Sequence, residues 1–313
     1  MHPNRKTSSR WTTLVAAMGI ELCGGSTYIT NLYLDQLANT WYPNDKARQS
    51  KMDMLLFATN LGTWLPLAGF LFDWRHGGPT RVALLGCLLY CLGFGGIYLA
   101  TIRGEHLAEQ TPLPPPFALL FALFFLWGHG VGYFDSAAIS CTAINFPELR
   151  GTAVGLTKAF FGLSGSLLTQ FYMAFFVSPT DPAPFLLFLA LGLPGLGAIC
   201  APFLHIGVGG RATAERPATT SRRFAEGYAI VLSLAFAMCA FGVLRSFTAW
   251  GATRTAAYVA TGLIGVAACA LLRLGRASAG GGDNSDYVRA DLLREGPTER
   301  PVVPELPPPA AMP

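Results

Sequence analysis

Six polar residues stand inside long apolar stretches of the chain: Glu21, Asn60, His129, Asp135, Lys158 and Gln170. A charge at mid-membrane costs roughly 2.5–3.5 kcal/mol on insertion scales, so each ionisable group there asks for a partner or a water-filled cavity. Glu21 reads either as a group that couples proton or solute movement or as half of a structural pair with a neighbouring helix. Lys158 either attracts an anion into a central cavity or snorkels to the nearer membrane surface. Asp135 is placed to partner Lys158, or Glu21 through a shared proton, and His129 to join a proton relay or to donate a hydrogen bond to another helix. Asn60 and Gln170 either bind solute or join helices, the latter worth around 0.6 kcal/mol per contact in a membrane.

The elements that must hold these groups are apolar helices. The chain is 52% hydrophobic and 13% charged, against about a quarter charged in a soluble domain. Its apolar residues fall in blocks that reach the roughly 20 residues needed to cross about 30 Å of hydrocarbon. Eight spans are expected, at 11–34, 52–72, 80–101, 117–144, 151–177, 184–206, 225–247 and 255–274. The first block follows Arg5, Lys6 and Arg10 as a signal peptide would, but it runs on to Leu34 with Glu21 in its middle, so a retained helix is expected. Pro66 and Pro194 are expected kinks, the glycines of 93–96, 128–132 and 162–165 close helix contacts, and Trp64 and Trp127 protein-facing.

Hydrophilic segments at 35–51, 102–116 and 207–223 interrupt the pattern, the last separating six spans from two. With the N-terminus in the cytoplasm, Arg5, Lys6, Arg10, Arg75, Arg81, Arg150, Arg211, Arg216, Arg222, Arg223, Arg273 and Arg276 lie inside, against Lys46, Arg48, Lys51, Arg103 and Arg254 outside. Lys and Arg collect on the cytoplasmic side, so both termini are expected there. The organisation is a cytoplasmic N-terminus (1–10), a six-helix domain (11–206), a cytoplasmic loop (207–224), two further helices (225–274) and a Gly- and Pro-rich tail (275–313) expected to be disordered.

Composition also excludes classes. The net charge of +4 is small and dispersed, with no basic run to bind nucleic acid. All seven cysteines lie in apolar blocks and read as packing or lipid-facing residues rather than disulfides or a metal site. The five histidines are scattered, and neither a His-Glu-x-x-His nor a Gly-x-Ser-x-Gly pattern is found, so neither an enzyme nor a cofactor is expected.

Two turns carry the most information. One contains Gly69, Leu71, Asp73, Arg75, Gly77, Gly78 and Arg81; the other contains Pro147, Glu148, Arg150, Gly151, Ala153 and Gly155. Glycines let helix ends pack closely and turn sharply, while an acid at a helix end can pair with Arg to latch one side. The first resembles the Gly-x-Leu-x-Asp-Arg-x-Gly-Arg loop of major facilitator transporters, with Trp74 after the Asp and a longer spacing to Arg81. The second is similar to their Pro-Glu-x-Arg-Gly-x-Ala-x-Gly segment. The opening 10–18, the end of the fourth span at 140–148 and the stretch 155–172 resemble nodulin-like domain proteins of plants and algae.

That resemblance covers roughly residues 10–206. It implies an all-α major facilitator-type bundle in a plasma membrane or endomembrane, with partners limited to the bilayer and a small solute, taken here as an organic anion or other metabolite moved with or without a proton. Members usually carry a full second six-helix half, whereas two further spans are read here. The rival expectation is a truncated membrane protein that serves as an assembly partner or receptor.

Overall fold

A computed structural model of the chain describes residues 10–43, 45–74, 77–106, 115–176, 181–206, 217–249 and 253–276. Among these the ordered elements are helices: α1 (Arg10–Gly24), α2 (Leu34–Trp41), α3 (Arg48–Trp64), α4 (Leu67–Asp73), α5 (Pro79–His106), α6 (Phe117–Asn145), α7 (Arg150–Phe175), α8 (Ala183–Cys200), α9 (Pro217–Phe247) and α10 (Arg254–Arg276). Six helical stretches are long and apolar enough to cross a membrane: Arg48–Asp73, Pro79–Ile102, Phe117–Asn145, Ala183–Phe203, Ala218–Phe247 and Arg254–Arg276. The first and fifth expected spans fall outside this group. One is the 15-residue α1, and the other is α7, whose Lys158, Gln170, serines and glycines dilute its hydropathy.

The first span is not one helix. After Gly24 the chain tightens into a 3-10 helix, Gly25–Leu32, before α2 begins. Gly25 lies so close to Ser164 and the Phe161 carbonyl on α7 that a Cβ would collide with both. This contact is open only to glycine. The 35–51 segment, read as hydrophilic, contains α2, which buries Leu34, Leu37, Ala38 and Trp41. Their i, i+3, i+4, i+7 spacing is a helical stripe too short to register as a span.

Pro66 interrupts the second span, as expected. Leu65 is extended there (φ −69°, ψ 128°), the conformation a following proline imposes. Pro194 lies inside a continuous α8. Trp127 is fully buried, whereas Trp64, beside the Pro66 break, is 74% exposed, so the protein-facing expectation fails for it. At that end α3 packs on α6 through Gly62 and Thr63, and Trp64 lies on the face that no helix covers. α9 starts at Pro217, inside the expected loop, because proline opens helices well. Phe224 there meets the Trp11 ring at a tilt and the Phe146 ring edge-on, and Arg10 donates to Thr220 (2.9 Å). The tail from 277 onward lies outside the described residues.

The packing has an internal symmetry. α1 packs on α7 and α6 on α3, α5 pairs with α8, α1 crosses α6, and α5 lies on α6 as α8 lies on α1. Exchanging the first three spans for the next three maps these contacts onto one another, as a three-plus-three repeat would, although α6 also packs on α7 without a comparable contact between α1 and α3. α9 and α10 pack on α7, and α10 also meets α1. One apolar core joins α1, α3, α5, α6 and α8; a second, with Trp11, Leu156, Phe224 and Leu271, joins α1, α7, α9 and α10.

Lipid tails are as apolar as leucine, so close backbone packing and hydrogen bonds must hold membrane helices together. Gly128 rests on the backbone of Thr59, Gly132 on that of Thr63, and Gly130 on those of Gly86 and Tyr90. Thr63 donates to the Gly128 carbonyl (3.0 Å). Gly93 and Gly165 are also contacts, against Trp127 and Tyr28, while Gly95 and Gly162 face open space. The seven cysteines are free; Cys23, Cys87 and Cys141 are buried, and Cys239 and Cys269 face outward.

The end of α8 is secured by three other helices. Thr13 of α1 donates to the Phe203 carbonyl (2.9 Å), Thr80 of α5 to Leu204 (3.0 Å) and Asn145 of α6 to His205 (2.7 Å). These carbonyls follow the last helical turn and have no partner within α8.

Three substitutions test this packing by thermal unfolding of the detergent-purified chain. Gly128→Ala lowers stability by about 1–3 kcal/mol because its methyl meets backbone, whereas Gly95→Ala, with free space, is neutral or stabilising by up to about 1 kcal/mol. Asn145→Ala leaves the His205 carbonyl with only the Cys141 thiol as donor and lowers stability by about 0.5–1.5 kcal/mol.

Candidate functional site

α6 and α7 are joined by the short turn Pro147–Leu149, so they run back beside one another. Asp135 lies ten residues before the end of α6 and Lys158 eight residues after the start of α7. The hairpin therefore brings them to one level. Arg10, at the start of α1, packs over the Phe146 ring (5.1 Å) at the same end, and Glu21 follows eleven residues later. At 1.5 Å per residue the three groups stand about 12–16 Å from that end, near the middle of a hydrocarbon layer about 30 Å thick.

At that level they meet. The Lys158 ammonium donates to Asp135 Oδ1 and stands 3.5 Å from Glu21 Oε2. It also lies over the Phe161 ring, 4.6 Å from its centre. The Lys158 side chain thus turns to the two carboxylates and does not run to the helix end. Glu21 is completely buried, and neither of its oxygens has a hydrogen-bond partner. The side chains of Lys158 and Asp135 are 40% and 41% exposed. One carboxylate is thus closed in behind an ion pair that opens outward.

The local sequence explains how these helices approach. Gly24 of α1 meets the Phe161 ring, Gly25 meets Ser164, and Gly165 of α7 meets Tyr28. Tyr28 stands edge-on to Phe161 at 5.4 Å and is 59% exposed. Phe161 and Tyr28 escaped the reading of the sequence, although Phe161 follows Lys158 by three residues and must share its helix face.

The other three polar candidates do not join this cluster. His129 is buried, with Nδ1 3.0 Å from the Gly62 carbonyl and its ring between Phe125 and Tyr133, so it ties α6 to α3. Asn60 is exposed on α3, on the face of Phe57 and Trp64. Gln170 is buried on α7, and no hydrogen bond or ion pair among the described residues links it to the triad.

The two turn motifs are shaped as their glycines require, in part. Gly78 has φ +99° between α4 and α5, a conformation side chains avoid, and Gly77 abuts the Leu71 carbonyl. Gly155 faces the Tyr228 hydroxyl of α9, which donates to the Thr152 carbonyl (2.9 Å). Gly69 and Gly151 meet nothing. Asp73, Arg81, Pro147, Glu148 and Arg150 are exposed, and the described residues give Asp73, Glu148 and Arg150 no ionic partner. Arg75 lies outside the described residues.

Comparison with known proteins agrees with this architecture. Protein NUCLEAR FUSION DEFECTIVE 4 of Arabidopsis thaliana is 25% identical over 185 residues, which cover 58% of this chain and 29% of that protein. The matched stretch is thus less than a third of the relative's length. No solved structure matches the chain. The nodulin-like family model matches residues 10–271. Because that match runs from the first turn of α1 into α10, through every described helix, the chain belongs to the nodulin-like family, membrane proteins of the major facilitator kind.

Proposed function

We propose that the chain carries a small solute across a bilayer by secondary transport, and that Glu21, Asp135 and Lys158 form the charged part of its path. The observation that carries this reading is the partial exposure of Lys158 and Asp135 at mid-span depth. An ion pair open to hydrocarbon would be costly, so that opening is a place for water and solute. Family membership supports the same conclusion.

In this reading residues 11–206 are the six-helix unit that encloses the path, and 225–274 begin a second set of helices along α7 and α1. Both termini lie in the cytoplasm, where the distribution of Lys and Arg places them, and the membrane is the plasma membrane or an endomembrane. The turns at Gly69–Arg81 and Pro147–Gly155 then lie at the inner face. Asp73, Glu148 and Arg150 are free there to exchange partners as that face opens and shuts, and Arg75 and Arg81 belong to the same gate. Gln170 belongs to the packing around the path, as does His129 through Gly62, whereas Asn60 faces away from it.

Purified protein in liposomes, offered a defined panel of amino acids, amines, carboxylates and sugars, tests this by mass spectrometry of the lumen. At least one class enters above the protein-free level, and Glu21→Gln or Lys158→Ala lowers its rate tenfold or more, equivalent to about 1.4 kcal/mol. Flux at the protein-free level for the whole panel would reject the reading and leave an assembly or receptor role.

A further inference from the structure

Resting on that reading, we propose that Glu21 is the seat for the ammonium group of an organic cation, which the chain exchanges for a proton. The two carboxylates are served unequally. Asp135 accepts a hydrogen bond from Lys158, whereas Glu21 is closed to solvent, 3.5 Å from the same ammonium, with both oxygens lacking a donor. A buried acceptor left without a donor is costly. Two kinds of partner supply what Glu21 lacks: a proton on the carboxylate itself, or an N–H group from a ligand.

The charge balance selects the ligand. With all three groups ionised the cluster carries two negative charges and one positive, so it is short of one positive charge. An anion finds Lys158 already engaged by Asp135, Glu21 and the Phe161 ring. Among the described residues no other Lys or Arg lies more than two turns inside a helix. A cation completes the balance, and an ammonium brings three N–H donors to two oxygens that accept no hydrogen bond. Its carbon stem has Phe161 and Tyr28 beside it, aromatic faces that attract a cation as well as an alkyl chain. Access runs past the exposed sides of Lys158 and Asp135, since Glu21 has none.

Among the described residues no other charge complicates this count. Around Glu21, α6 contributes Asp135 and α7 contributes Lys158. α8 offers Cys200 beside Gly19 and its Leu193 carbonyl to Cys23, and α10 meets α1 through Gly275 at the Arg10 end. The deficit is filled by a proton or by a cation, not by both. Binding is then an exchange in which the protonated Glu21 carboxyl releases its proton to water at the open side while the ammonium takes its place. Charge is conserved.

The test uses the full chain in detergent with n-butylammonium chloride as the probe and sodium n-butyrate and n-butanol as size-matched controls. Ligand that binds the folded state raises the unfolding midpoint in a saturable way. The rise is expected with n-butylammonium alone, with a proton released to a pH dye. Its apparent affinity weakens by up to about tenfold per pH unit as pH falls through the range where Glu21 is protonated, because proton and cation compete for one site. Glu21→Gln abolishes the rise. Should that variant not fold, Asp135→Asn and Phe161→Leu, on partly exposed positions, must each weaken it at least threefold. Stabilisation by butyrate, by neither ion, or equally by n-butanol overturns the assignment, as does unchanged binding in the variants. Because binding is read without flux, its failure stays separate from failure of transport: butyrate binding and uptake would leave the transporter and remove the cation seat.

Discussion

A carboxylate with no surface and no hydrogen bond, 3.5 Å from an ammonium, constrains the helices around it. Glu21 can lie at the depth of α1 only if α7 brings Lys158 to it, and α7 stands that close only because Gly24, Gly25 and Gly165 carry no side chains in the contact. The same approach breaks the first span into α1 and a 3-10 turn. Charge placement, helix distortion and small-residue packing are therefore one solution to a single problem, how to hold ions in a layer that does not solvate them.

Away from the triad the bundle relies on forces that do not need water. α3 and α6 meet backbone to backbone at Gly128 and Gly132, and His129 adds a bond to the Gly62 carbonyl. The loose end of α8 is closed by Thr13, Thr80 and Asn145, one from each of three helices. At the other structural extreme, in the turn before α3, the Lys51 ammonium (2.5 Å) and the Ala47 amide (2.8 Å) donate to Asp45 and hold its carboxyl below the usual range. That turn is wet, and its ion pair is of the ordinary surface kind, worth little to the fold.

The repeat in the packing gives the triad its asymmetry. Glu21 and Asp135 come from α1 and α6, which exchange places under the repeat, whereas Lys158 comes from α7, whose counterpart is α3. α3 carries the uncharged Asn60 about one turn before its end, on an exposed face. Two carboxylates from equivalent helices thus share one cation from a single helix. This leaves the negative excess from which the proposed cation seat follows.

Length and hydropathy by themselves determined most of the helices, because a span must be long and apolar whatever surrounds it. The two turn motifs were legible for the same reason, since proline and glycine act through their own backbone. Six polar candidates were visible as exceptions to the apolar pattern, but nothing in the linear order told Glu21, Asp135 and Lys158 apart from Asn60, His129 and Gln170. That selection is tertiary: it depends on which helix faces meet and at what depth. The 3-10 turn after Gly24, the exposure of Trp64 and the aromatic wall of Tyr28 and Phe161 likewise follow from contacts between α1 and α7 or from which face of α3 meets α6. A sequence states where a charge lies along a helix; only packing decides what stands opposite it.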